Sequence, residues 1–236
     1  MNRLLLLLLC CLPLLAAART PLTEVVVLST LHAMHDEVPA YSQETLAASV
    51  RRLAPDALCI EVRPDRFATR APEPNKIEYP GTIYPLIEAQ GYRAYPMEPS
   101  EPDYGRILTP YKSANEAFGE AQPEQAEAFA AYMDAMYAVL RRYWTSPARV
   151  NDATTDAQMR AKHALQEALV GDGEREGWEA WNRQFMAAID RAVAENPGKR
   201  IVVLAGVEHG YWLREHLARR DDVRLLDTAA LLSAGS

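Results

Sequence analysis

A chain of 236 residues, 49% apolar and 24% charged, has the composition of one large or two small globular domains and excludes a disordered polymer. Its formal charge of −7, with no basic run to override it, excludes partners held by phosphate contacts: nucleic acid and anionic lipid. Three cysteines are present, but Cys10 and Cys11 lie in a leader-like segment, so Cys59 alone remains and excludes an internal disulfide in the mature chain.

The leader reads in three parts. Arg3 supplies a basic start, Leu4 to Leu15 an apolar core, and Ala16, Ala17 and Ala18 the small residues of a cleavage site. Residues 1–18 are therefore expected to be a signal peptide, and 19–236 a single exported domain, periplasmic or secreted. An uncleaved leader acting as an anchor is the alternative. The apolar run is too short to span a bilayer as a transmembrane helix. Cleavage removes one cation and no acid, taking the formal charge from −7 to −8.

The elements follow in chain order. Glu24 to Ser29 is a continuous β-branched run, as expected of a strand buried on both faces, and it leads into His32. Ser42 is placed to cap a helix whose apolar face is Leu46, Val50 and Leu53, broken at Pro55. Ala57 to Val62 is a second buried strand, giving a β-α-β unit and a parallel pair. Pro64 to Pro80 reads as an irregular loop, Ile83 to Ile87 as a short helix closed by Gly91, and Tyr92 to Tyr95 as a third strand. The four prolines between Pro96 and Pro110 predict another long loop.

From about 115 to 195 only helix signals occur, which predicts an all-helical insertion. One stripe is Ala126, Phe129, Ala130, Met133, Tyr137 and Leu140; another is Trp178, Trp181, Phe185, Ile189 and Val193. A third helix is expected over Asp156 to Val170. Aromatic stripes at this spacing are expected to be core packing. Ile201 to Ala205 is a strong late strand, Gly206 to Arg219 a turn and helix, Val223 to Leu226 a last strand, and Leu231 to Ser236 an unstructured tail. The predicted class is α/β: a central, mostly parallel sheet flanked by helices, with the helical insertion before the late strand.

Three predicted strand ends carry chemistry. They run into His32 and His35, into Glu61 and Arg63, and into Gly206, Glu208 and His209. In an open parallel sheet, ligands sit beyond the carboxyl ends of the strands, so all three clusters fall on one edge. Glu61 ends an apolar strand and needs a partner, either Arg63 two residues on or a metal. Histidine ligates metals or moves protons near neutral pH. Gly206 is read as allowing a tight turn, and the helix beyond it offers free N–H groups to an anion. Glu208 reads as a helix N-terminal acid, His216 as surface, His163 as outside the pocket and Cys59 as packing. There is no P-loop, dinucleotide turn or hydrolase elbow.

These motifs, Leu28-Ser29-Thr30-Leu31-His32, Pro55 through Glu61, and Leu204 through His209, resemble the superfamily that joins erythromycin esterases, haem-binding ChaN proteins and Tiki/TraB/GumN proteins. Tiki-like members carry two Gly-x-x-His motifs. Gly206 to His209 matches the second, and Ser29 replaces the glycine of the first. The same resemblance suggests Arg183 as a site arginine. It implies three activities: a metal-dependent protease, a metal-independent esterase with a histidine base, or a haem-binding protein.

The leading expectation is an exported metal-dependent hydrolase of peptide or ester bonds. His32, Glu61 and His209, with His35, would hold a divalent ion, and Arg63 or Arg183 would steady the transition state. The second is a metal-free hydrolase using a histidine base. The third is haem or metal binding with a histidine or one of Tyr41, Tyr79, Tyr84 and Tyr104 as ligand. The substrate is expected to be a small molecule or peptide, with specificity in the two proline-rich segments and the insertion.

Overall fold

A computed structural model describes residues 21–234; the predicted signal peptide at 1–18 lies outside them. Five strands form one wholly parallel sheet: β1 (Thr23–Thr30), β2 (Ala57–Ile60), β3 (Arg93–Pro96), β4 (Arg200–Gly206) and β5 (Val223–Leu225). Their spatial order is β3-β2-β4-β1-β5. The late strand β4 thus returns between the first two, and its neighbours on either side are β1 and β2. Val25 to Leu28 and Ile201 to Ala205 have no exposed surface, as expected for a parallel sheet covered on both faces.

The helix α1 (Gln43–Leu53) starts on Ser42, whose hydroxyl accepts from the Thr45 N–H at 3.3 Å, and it buries Leu46, Val50 and Leu53 as its spacing requires. The proline-rich segment that reads as a loop instead contains α2 (Pro64–Thr69) and a wide turn over Tyr79–Ile83 that runs into α3 (Tyr84–Gln90). Gly91 ends α3 at φ 67°.

The helical run begins earlier than the sequence suggested. It comprises α4 (Asp103–Ala121), α5 (Pro123–Tyr143), α6 (Pro147–Val150), α7 (Ala153–Val170) and α8 (Asp172–Glu195). Pro102 sits just before α4 and Pro110 lies inside it. An interior proline forfeits one helical hydrogen bond. Here packing against α8 outweighs that loss: a Cβ on Gly177 would lie 2.5 Å from the Tyr111 ring, and one on Gly173 2.5 Å from Ala114. These two glycines let α4 lie directly on α8. No residue of α4 is fully buried, and in α5 only Met136 and Leu140 are. The first half of the predicted α5 stripe therefore stands off the core. After β4 come α9 (Val207–Leu217) and, in place of an unstructured tail, α10 (Thr228–Ser233), capped by Asp227. Among the described residues no helix is long and apolar enough to cross a membrane.

Candidate functional site at the carboxyl edge of the sheet

The strand register decides which side chains meet. Thr30 pairs with Gly206 and Ile60 with Leu204, so β1, β4 and β2 end almost level. His32, Glu61 and His209 each follow one of these ends. Tyr79 seals the gap where β2 and β4 part: its hydroxyl accepts the Glu61 N–H at 3.1 Å and donates to the Leu204 carbonyl at 3.1 Å.

Glu61 is buried at the centre. One carboxylate oxygen accepts the Gly206 N–H at 2.5 Å, and the other faces His32 Nε2 at 3.5 Å and Lys76 Nζ at 3.3 Å. Lys76 also pairs with Glu98 and lies 3.7 Å from Glu73. Burial works against a charged Glu61, but Lys76 and His32 outweigh it and hold the carboxyl well below its usual range. Glu98 is pushed up to about 8, by burial in the first place.

His32 stands between two carboxylates. Its Nδ1 lies 2.7 Å from Glu78, which is completely buried, and its Nε2 faces Glu61. Burial opposes a charge on the ring, yet the two carboxylates raise His32 to about 10 and keep it an imidazolium. Its φ of 50° is left-handed, a conformation that costs a non-glycine residue about 1–3 kcal/mol and clusters at functional sites. Gly206 is required for a different reason than a tight turn. Its φ is an ordinary −53°, but a Cβ there would lie 2.6 Å from His32 Nε2. Gly206→Ala is therefore expected to push the imidazole off Glu61. In NMR titration the His32 value should drop from about 10 toward 6.5; an unchanged titration would show that the close approach does not matter.

His209 has the opposite electrostatics. Asn182 donates its amide to the Trp178 carbonyl at 2.8 Å, which turns Asn182 Oδ1 to His209 Nδ1 at 2.8 Å. Nδ1 therefore carries the hydrogen and Nε2 the lone pair. The ring is stacked on Trp178, 4.6 Å between centroids at 14°, and packed against Phe185 at 4.8 Å. Burial pushes it down to about 4, so it is neutral at ordinary pH. The two histidines pull stability in opposite directions. His32 binds its proton more tightly folded than unfolded, so its contribution is whole below pH 6.5 and is lost as pH climbs to about 10. His209 binds its proton less tightly folded, so folding is penalised as pH falls from 6.5 toward about 4.

Both rings line a cleft of about 400 Å³, with Thr30, Met34, Tyr137, Arg141 and Glu208 around it. Helix α9 starts on this cleft without a side-chain cap, so its first N–H groups have no side-chain partner. Glu208 is more than a dipole partner. It meets Lys162 at 2.9 Å and His163 at 3.4 Å from α7, and Tyr137 from α5, which ties the helical run to the site. Burial opposes its charge, but His163 and Lys162 hold it well below the usual range.

The structure gathers His32, Glu61 and His209 and separates the other three expected residues. His35 is buried in its own loop, with Nε2 accepting the Leu31 N–H at 3.0 Å and Nδ1 2.6 Å from the Tyr41 carbonyl. Arg63 turns away from Glu61 to Asp65 at 3.0 Å and to the Tyr104 ring at 4.6 Å. Arg183 is exposed and pairs with Glu179 one turn back at 3.0 Å. Of the possible tyrosine ligands, Tyr41 and Tyr79 spend their hydroxyls on the Ser29 and Leu204 carbonyls.

Lys76, Glu78 and Asn182 escaped sequence reasoning. Lys76 and Glu78 lie in a segment that reads as loop, and Asn182 in a stripe that reads as core. The one signal was Asn182 beside Trp181 on the helix that already suggested Arg183.

The fit to a divalent ion is poor in this arrangement. Glu61 has both oxygens engaged, with a lysine ammonium already beside it; His32 presents protonated nitrogens to two carboxylates; His35 is occupied. Among the described residues no three His, Cys, Asp or Glu side chains have metal-holding geometry. Comparison with known protein families, curated proteins and solved structures returns no match. The superfamily likeness thus rests on the short motifs alone.

Proposed function

We propose that the chain is a metal-independent hydrolase in which His209 Nε2 is the general base. The observation that carries this reading is the tautomer lock: Trp178 carbonyl to Asn182 to His209 Nδ1 leaves the lone pair on Nε2 of a ring that lines the cleft. A water on Nε2 gives up its proton as its oxygen adds to an acyl carbon. The developing oxyanion meets the uncapped N–H groups of α9 and the nearby His32 imidazolium. Collapse expels the leaving alcohol, which takes the proton back from Nε2. A base held at about 4 is always unprotonated at neutral pH but provides little driving force per proton moved. Esters, with better leaving groups than amides, are therefore the substrate class.

Two measurements test this. Ester hydrolysis is expected to survive exhaustive chelation, and wild type, Glu61→Gln and His209→Ala are expected to hold equally negligible metal; stoichiometric metal lost in the variants would restore a metal mechanism. The profile of kcat/KM should be level through neutral pH, falling below about 4 as His209 takes a proton and above about 10 as His32 loses one. A limb near 7 would assign the base to another group.

A further inference from the structure

A second cavity of about 170 Å³ is also lined by His209. Its walls are Ile107, Leu108 and Tyr111 of α4 and Trp178 and Trp181 of α8, with Gly177 at the seam. The seam is built for the purpose of close approach: the missing Cβ of Gly177 is the space taken by the Tyr111 ring. The Tyr111 hydroxyl donates to Glu174 at 3.3 Å and His209 Nδ1 to Asn182, while the buried Trp178 indole N–H has no partner. No wall residue carries a charge, so a charged group entering would lose its water without compensation. Apolar cavities of about 150 Å³ bind benzene.

We propose that this slot is the acyl-group subsite and that the substrate is an ester of a compact, uncharged apolar acid of about the size of a benzoyl group. The inference rests on the hydrolase reading for the ester but on the cavity alone for the apolar group. His209 lines both cavities: in the proposed binding mode an acyl group seated between α4 and α8 brings its carbonyl to His209, with its alcohol portion toward the larger, more polar cleft. The slot also accounts for the early start of the helical run, because Ile107 and Leu108 lie in the proline-rich segment that joins the sheet to the helices.

The test separates binding from catalysis. Saturation-transfer NMR of the whole protein with toluene is expected to show binding, and benzoate at equal concentration at most a tenth of it. Leu108→Trp and Ile107→Trp, which fill the slot, should each weaken toluene at least 10-fold. Trp181→Ala, which enlarges it, should admit 1-methylnaphthalene, which wild type rejects. In parallel, p-nitrophenyl benzoate should exceed p-nitrophenyl acetate about 10-fold in kcat/KM, and Leu108→Trp should erase the preference. Toluene bound with no ester cleaved supports the slot and removes the hydrolase reading. Equal toluene signals in wild type and both filling variants, or ester cleavage with no acyl preference, overturn the slot.

Discussion

The His209→Asn variant is expected to hydrolyse esters about 10³-fold more slowly than wild type at neutral pH, within the range a positioned general base contributes. Asparagine is chosen because its side-chain amide can still donate to Asn182 Oδ1, the group that His209 Nδ1 faces at 2.8 Å. The stack on Trp178 is lost, but no buried partner is left without a hydrogen bond. The loss should therefore fall on kcat with KM little changed, since what disappears is an interaction made only as the water proton moves. The acid limb of the pH profile should vanish with it. A variant with wild-type kcat, or one that loses KM instead, would remove His209 from the chemistry and leave it a binding residue.

Replacing Lys76 by methionine is expected to cost about 3–5 kcal/mol of stability, because removing one partner of a buried ion pair leaves uncompensated charge. The side chains are nearly matched in length, so packing is kept and the charge is what changes. Glu61 loses its cation at 3.3 Å, its backbone carbonyl loses the ammonium donor at 3.0 Å, and Glu98 loses its direct partner. Burial already pushes Glu98 up to about 8, so it accepts a proton more readily than Glu61 does. The double variant with Glu98→Gln should therefore recover part of the loss in urea denaturation. A single-variant cost below about 1 kcal/mol would place Lys76 among ion pairs of surface strength.

The same lysine bears on the choice between mechanisms. The cationic position beside Glu61 is already filled by the chain itself, from a segment that the sequence presents as loop. His32, held between Glu61 and Glu78, needs no further cation either. The two imidazoles are separated in protonation by their neighbours: carboxylates on both sides of one, aromatic rings and an amide around the other. That separation is what gives one cleft a fixed positive charge and a free lone pair.

Much of this was legible in the chain. The uninterrupted, β-branched apolar runs at Val25 to Leu28 and Ile201 to Ala205 read as strands buried on both faces, and they are. Ser42 and Gly91 set helix ends, and the β-α-β spacing set the common direction of β1 and β2; the pair expected between them does not form, because β4 lies between. Polar residues at the ends of three such strands had to share the carboxyl edge, and His32, Glu61 and His209 do. These features are local, governed by period, capping and the handedness of crossovers, so they can be read without knowing what packs on what.

Tertiary structure decided the rest. That β4 lies between β1 and β2 depends on a helical run of more than ninety residues closing back on the sheet, which no local pattern encodes. That Arg63 turns to Asp65 while Lys76 reaches Glu61 depends on how the segment after β2 folds over the edge, and a two-residue spacing in sequence carries no information about it. Pro110 reads as a breaker, yet packing on Gly173 and Gly177 outweighed its local preference and kept α4 continuous. The sequence alone thus determined where polar groups would collect. Which of them are charged, which are neutral and what lines the space beside them came from burial and long-range neighbours, because those set the cost of a charge and are absent from any single stretch of chain.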